Sequence, residues 1–395
     1  MLIDQLFKLL ESKEEEIIQH RRYLHQHPEL SFFEKETSQY LINYYQDRDC
    51  EVHSNIGGYG LKVIIDSNKP GKTIALRSDF DALAIQEETG LPFSSLNDGV
   101  MHACGHDGHT AYLMVLASCL IELKEKLQGK VVIIHQPAEE VPPGGAIAMI
   151  KDGVLEGVDE VYGIHLIAQG QLGAIGYHIG ATQSARAKFS IKVQGKGGHG
   201  ASPHETIDSI VAASALVMNL QTIVSRRNNP TSPLVITVGS FDGKGQSNVI
   251  KDSVILEGDV RLFDERVSVL VEKEMRSICQ GIENMYGCKV TLNYLRDYPA
   301  LINNELLTVN AMEAIKKTKI EGVKEIVDTG LMMSSEDFAY YSLERPSCYF
   351  YIGAKPQNSD YPHHHPKFDF HEDALMIAAK SVAAVLLSAL ETKED

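Results

Sequence analysis

Apolar positions along this chain repeat with two different periods, and the change from one to the other divides it. Leu6, Leu9, Leu10, Ile17, Ile18 and Leu24 fall roughly at helical spacing and predict an opening helix over 5–24. Short aliphatic runs at 61–65 and 73–78 predict strands, separated by the turn Asn68-Lys69-Pro70-Gly71. A strongly apolar helix is predicted over 110–126, then a buried strand at 131–135. A short helix over 146–155, closed by Gly157, and a further buried strand at 160–165 complete the series. Strands alternating with helices imply an α/β fold: a mixed, largely parallel sheet flanked by helices.

Near Ala185 the pattern changes. Lys188-Phe189-Ser190-Ile191-Lys192-Val193 alternates polar and apolar, as a half-exposed strand does. A helix over 207–224, strands at 234–238 and 254–261, a helix over 268–286 and a strand at 289–295 follow. The order β-α-β-β-α-β is the ferredoxin-like split βαβ unit, and its span of about 110 residues suits a domain. Residues 185–295 are therefore predicted to be an inserted α+β domain, with 1–184 and 296–395 forming the other domain.

Length and composition agree. A chain of 395 residues exceeds the size at which one core keeps growing, so two domains are expected. With 44% hydrophobic and 23% charged residues the balance is that of a soluble protein, and no uninterrupted apolar run reaches membrane-spanning length. Met1-Leu2-Ile3-Asp4-Gln5 lacks the basic and apolar regions of a secretory signal. The six cysteines are scattered without framework spacing, so reduced thiols and a cytoplasmic location are expected. A formal net charge of −16 argues against nucleic acid and anionic membranes as partners.

The chemistry concentrates in Met101-His102-Ala103-Cys104-Gly105-His106-Asp107-Gly108-His109, three histidines, a cysteine and an aspartate in nine residues. Thiolate and imidazole suit zinc and its first-row neighbours, and carboxylate adds tolerance for manganese. The buried strand at 131–135 leads into His135-Gln136-Pro137-Ala138-Glu139-Glu140, and His165 ends a further strand. If strand geometry persists, Glu139 and Glu140 point to opposite sides, one to ligate metal and its neighbour to face substrate. Considered alone, that pair would be a solvated strand end. His25 and His27, beside Pro28, read as helix-end and turn residues. His363-His364-His365 is either a metal-binding tract or an exposed loop, and the flanking Pro362 and Pro366 favour a fixed ligand role for His364.

Gly195-Lys196-Gly197-Gly198-His199-Gly200 matches the dinucleotide fingerprint G-x-G-x-x-G after a strand and before a helix. The acidic residue that should follow about 20 positions on is missing, since 209–241 holds no Asp or Glu. A glycine-flexed loop presenting His199 to a substrate oxyanion is the better reading. Asn248 and Arg261 have the chemistry to bind a substrate carboxylate, and Arg261 could equally form a strand ion pair with Asp259.

Together these motifs resemble the di-metal metallopeptidase family of aminoacylases and glutamate carboxypeptidases. The similarity is strongest to its amidohydrolase branch of hippurate hydrolases, N-acyl-amino-acid deacylases and auxin-conjugate hydrolases. The resemblance runs through Arg21–His25 with Pro28–Ser31, Leu76–Leu83, Met101–His109, Gln136–Glu140, Gly163–His165, Gly195–His204, Ser335–Phe338 and His364–Phe368. It implies two divalent metal ions per subunit, zinc or manganese with cobalt or nickel as alternatives, on Cys104, His106, Glu140, His165 and His364. It implies Glu139 as general base and acid, Asp79 as a carboxylate that orients a ligand histidine, and His199 as the oxyanion histidine, usually supplied by a neighbouring subunit. Asn248 and Arg261 resemble substrate-binding positions of an inserted lid that also serves dimerisation, so a homodimer or higher homo-oligomer is implied. Ser334, Ile167-Ala168-Gln169 and Val141-Pro142-Pro143 depart from the branch pattern and are expected to tune substrate choice. The implied activity is hydrolysis of small N-acyl amino acids. A dipeptidase or carboxypeptidase, or a non-catalytic metal-binding or amino-acid-binding relative, is the alternative.

Overall fold

Runs of aliphatic residues buried on both faces build the centre of the main sheet, as a parallel sheet covered by helices requires. The computed structural model describes residues 1–357 and 359–391. It divides into two units: Met1–Thr182 with Ile302–Leu331 and Asp337–Asp395, and Gln183–Leu301 with Met332–Glu336.

In the first unit eight strands run, in spatial order, Glu51–Ile56, Gly60–Asp66, Lys130–Gln136, Thr73–Asp79, Glu160–Ile167, Ser347–Gly353, Ala174–Tyr177 and Glu325–Asp328. The four central strands pair in parallel, with Asp79 opposite Gln136 and His165 opposite Tyr351. The pairings beside them are antiparallel; at the edges, Glu51–Ile56 pairs antiparallel with Gly60–Asp66 and Glu325–Asp328 pairs parallel with Ala174–Tyr177. The segments that leave the carboxyl ends of the central strands therefore emerge on one edge, where open α/β sheets place their sites.

The helix His106–Glu122 is buried from His106 to Ile121. Gly108 permits this, because a Cβ there would lie 2.6 Å from Phe370 Cζ and 2.8 Å from Leu166 Cδ1. Among the described residues, Ser209–Arg227 and Asp373–Glu391 are long and apolar enough to cross a bilayer. In Asp373–Glu391, 83% of that stretch is buried, the mark of a core helix; in Ser209–Arg227 the share is 33%.

The second unit has the antiparallel spatial order Leu234–Asp242, Ser253–Leu262, Ala185–Gln194, Lys289–Arg296. Ser209–Thr222 and Glu265–Tyr286 supply Leu216, Leu220, Val271 and Met275 to a core of its own. This is the sheet order of the split βαβ unit.

Several boundaries differ from expectation. The opening helix is two helices, Leu2–Ser12 and Glu14–Gln26, broken at Lys13, whose ammonium reaches Ser118 and Glu122. The helix predicted from residue 110 starts at His106, because Gly105 in the left-handed region turns the chain into it. The helix predicted over 146–155 stops at Lys151, ahead of the left-handed Gly153. The second unit also outruns 185–295 at both ends and takes in residues 332–336. The Ser184 amide donates to the carbonyls of Met332 (3.1 Å) and Ser334 (2.9 Å), and the Arg186 amide to that of Tyr298 (2.9 Å).

Candidate metal centre

Gly105 sets the first feature of the site. At φ +99° it reverses the chain between Cys104 and His106, so that His106 begins a helix while Cys104 stays in the loop before it. The Cys104 thiol, His106 and His165 form one group whose ligand atoms lie within 4.8 Å of one another. Cys104, Glu140 and His364 form a second, and His106, Glu139 and Glu140 a third. Cys104 belongs to both of the first two groups, the position a ligand bridging two ions needs.

Each histidine of these groups is oriented through Nδ1 or the backbone. His106 Nδ1 lies 3.0 Å from the Asp81 carbonyl oxygen and 3.2 Å from its Oδ1. His165 donates through Nδ1 to the Leu166 carbonyl at 2.7 Å and keeps Nε2 3.4 Å from Cys104 Sγ. The His364 amide donates to the Ala103 carbonyl at 2.8 Å, and its Nε2 lies 3.2 Å from Glu140 Oε1. His106 Nε2 is buried with no hydrogen-bond partner, 3.9 Å from Glu140 Oε1. Buried polar atoms are ordinarily satisfied, so this nitrogen marks where a cation fits, and the soft-and-hard donor set agrees. Burial, with the carboxylates of Glu140 and Glu139 beside it, pushes the Cys104 thiol well up. Burial works against protonation of His106, yet the charges of Asp79, Asp81 and Glu140 raise it to about 10. A divalent cation relieves both, since it holds the thiolate and neutral imidazole that such clustered carboxylates disfavour.

The expectation that Glu139 and Glu140 point to opposite sides fails. Their strand ends at Gln136, and Ala138 takes a left-handed conformation at φ +54°. For a residue with a Cβ this costs on the order of 1 kcal/mol. It brings an oxygen of each carboxylate into the same group as His106.

The surrounding residues carry a second correction. Asp79 was expected to orient a ligand histidine. It accepts instead from His109 Nδ1 at 2.7 Å and from Arg77 at 2.5 Å, while the His109 Nε2 accepts from the Leu166 amide at 3.0 Å. Both nitrogens of His109 are thus used within the fold. Asp81 holds His106, and its Oδ2 accepts from the Glu140 amide at 3.0 Å and from Ser31 at 2.7 Å. The i, i+2 spacing of Asp79 and Asp81 was the available signal for Asp81. His25 stands in the last turn of the helix Glu14–Gln26 as expected, and it is buried there with its Nδ1 2.8 Å from Asp107 Oδ2. Arg21, fully buried, joins Asp107 (3.1 Å) to Asp369 (2.8 Å) and Glu372 (3.0 Å). His102 is buried with neither ring nitrogen partnered, and burial lowers it to about 4, so it is neutral. Arg77 and Gln136 both reach Asp337 at 2.8 Å.

His199, Asn248 and Arg261 lie in the second unit. His199 is exposed, pairs with Val249 and accepts the Ala201 amide through Nδ1 at 3.1 Å; the Asn248 carbonyl takes the Gly200 amide at 2.8 Å. The structure thus brings His199 and Asn248 together. The glycines around His199 take no positive φ. They serve close approach, since a Cβ on Gly195 would lie 2.1 Å from the Ile207 carbonyl oxygen. Arg261 pairs with Asp259 at 2.6 Å, and its Nη1 reaches the Met333 carbonyl and Ser335. Ser334 donates to Gln183 at 2.9 Å, also within the second unit.

The sequence profile of peptidase family M20/M25/M40 matches residues 75–388. The chain is 40% identical over 303 residues to an N-acyl-L-amino acid amidohydrolase of Geobacillus stearothermophilus, covering 77% of this chain and 82% of that one. Its fold matches the crystal structure of a candidate aminohydrolase from methicillin-resistant Staphylococcus aureus with TM-score 0.93 and 53% identity, covering 98% and 100% of the two chains. It also matches a Bacillus subtilis protein described as a dinuclear metal binding peptidase, with TM-score 0.84 and 32% identity, covering 97% and 100%.

Proposed function

The chain belongs to peptidase family M20/M25/M40, and from that premise we propose that this metal-dependent amidohydrolase cleaves N-acyl amino acids to a carboxylic acid and a free amino acid. The observation that carries the reading is the shared turn that puts the Glu139 carboxylate beside His106 and Glu140 rather than out in solvent. Cys104, His106, Glu140, His165 and His364 are the residues to hold two divalent ions, zinc or manganese before cobalt or nickel. When bound, such ions acidify a water and polarise the scissile carbonyl. Glu139 takes the proton of the attacking water and delivers it to the amide nitrogen as the C–N bond breaks, so one carboxylate serves both half-steps. His199 is assigned to the developing oxyanion, and Asn248 and Arg261 to the substrate carboxylate, on residue type and family resemblance.

A homo-oligomer built through the second unit and a cytoplasmic location complete the reading. Free thiols at all six cysteines support the latter, and light scattering in solution tests the former. Metal-reconstituted enzyme given N-acetyl amino acids, N-benzoyl amino acids and unblocked dipeptides tests the substrate class. Turnover of the N-acyl compounds is the expected result. Hydrolysis of unblocked dipeptides alone would replace it with an exopeptidase, and no turnover of any compound would leave a binding protein.

A further inference from the structure

The turn that aims Glu139 and Glu140 is held from a distant part of the chain. Glu34 is fully buried, and its Oε1 accepts the Ala138 amide at 2.8 Å across 104 positions. Phe32 and Ala138 are two of the few non-glycine residues with positive φ, at +69° and +54°. The Glu34 carboxyl therefore secures the left-handed turn at Ala138, which precedes the glutamate pair directly; Glu34 itself follows another such turn at Phe32. The segment that carries Glu34 is itself fixed: the Ala82 amide donates to the Glu29 carbonyl at 2.8 Å, and Ser31 donates to Asp81, which holds His106 and Glu140.

We propose that Glu34 is a positioning residue, whose Oε1 locks the left-handed turn at Ala138 and so sets both the proton-transfer carboxylate Glu139 and the ligand Glu140. The inference rests on the role given above to those two glutamates. Burial, with the charge of Asp81 nearby, pushes the Glu34 carboxyl up to about 8. A neutral side chain of the same shape is therefore its faithful mimic near neutral pH.

The test compares E34Q, which keeps an acceptor oxygen, with E34M, which keeps the volume and removes the acceptor. Folding of each metal-free variant is checked by thermal melting, and Mn²⁺ affinity is measured by titration calorimetry, independently of any substrate. We expect E34Q to bind Mn²⁺ within about threefold of the parent protein and E34M to bind it at least tenfold more weakly. On a hydrolysed substrate, kcat of E34M should fall with KM little changed. Adding A138G to E34M should recover affinity, because glycine takes the left-handed turn without a clamp. Equal damage in E34Q and E34M, parent-like affinity in E34M, or no recovery in the double variant overturns the proposal. Should E34M not fold alone, the double variant against E34Q decides the question in the same terms. Absence of turnover in the parent protein would count against the substrate reading and leave the calorimetric test standing.

Discussion

His106 and Asp81 face each other through the imidazole Nδ1, which lies 3.0 Å from the aspartate's carbonyl oxygen and 3.2 Å from its Oδ1. The same carboxylate accepts the Glu140 amide through Oδ2, so a single side chain orients two of the candidate ligands. In D81N, an amide NH₂ placed at either oxygen meets a donor it cannot accept from. Divalent-metal affinity is expected to fall about 10- to 100-fold. Titration of metal into the folded variant checks this, and parent-like affinity would remove Asp81 from the ligand scaffold.

E139Q should keep its metal and lose turnover. The amide matches the carboxylate in shape and has no basic oxygen for the attacking water's proton. A drop in kcat of about 10²- to 10⁴-fold is expected, with metal content unchanged by elemental analysis. Parent-like turnover would refute proton transfer by Glu139.

Acid should weaken the fold in two stages. His135 is buried between Ser78 and Tyr45, and burial lowers it to about 3. The unfolded chain takes up that proton first, so stability present above the ordinary histidine value is lost as pH falls from about 6.5 towards 3. Burial alone would raise Glu87, but hydrogen bonds from His25, Thr89 and the Ser95 amide hold it down at about 2. Its contribution is complete above its ordinary value and is lost from about 4.5 downwards. Melting curves from pH 8 to pH 3 should therefore fall throughout the acid range. E87Q should lie below the parent protein at neutral pH, with the gap narrowing as pH falls from about 4.5 towards 2. Parallel curves would exclude the Glu87 term.

G144A should destabilise the loop beyond the glutamate pair. Gly144 has φ +80°, and a Cβ there would lie 2.5 Å from Asp337 Oδ2, the oxygen that accepts the Ala146 amide. Strain and displacement together should cost about 1–3 kcal/mol, several degrees in the melting temperature. An unchanged melting temperature would show that Asp337 can move freely.

How much of this could be read beforehand followed from the distance over which each feature is determined. Strand and helix identities follow local periodicity, and the β-α-β-β-α-β order of the second unit was legible because its half-exposed strands alternate. The residue types that gather around Cys104 were legible as chemistry, although they come from four separate segments. The direction of the Glu139–Glu140 pair was not, because it depends on one left-handed residue held by Glu34 from across the sequence. For the same reason Asp81, rather than Asp79, holds His106: the two carboxylates stand at the end of one strand and just beyond it, and only tertiary packing tells them apart. The break at Lys13 had a local sign in the acidic triplet Glu14–Glu16, which suits the first turn of a new helix.

The buried Arg21 has a consequence for the order in which the protein is made. It ties Asp107, the neighbour of His106, to Asp369 and Glu372. Until the C-terminal segment has been synthesised, Arg21 and Asp107 lack Asp369 and Glu372 as partners, and His364 does not yet exist. A nascent chain that has emerged only as far as His165 thus carries an incomplete claw. The group of Cys104, Glu140 and His364 can close only after the C-terminal segment is released, so the two halves of the candidate centre are completed at different times.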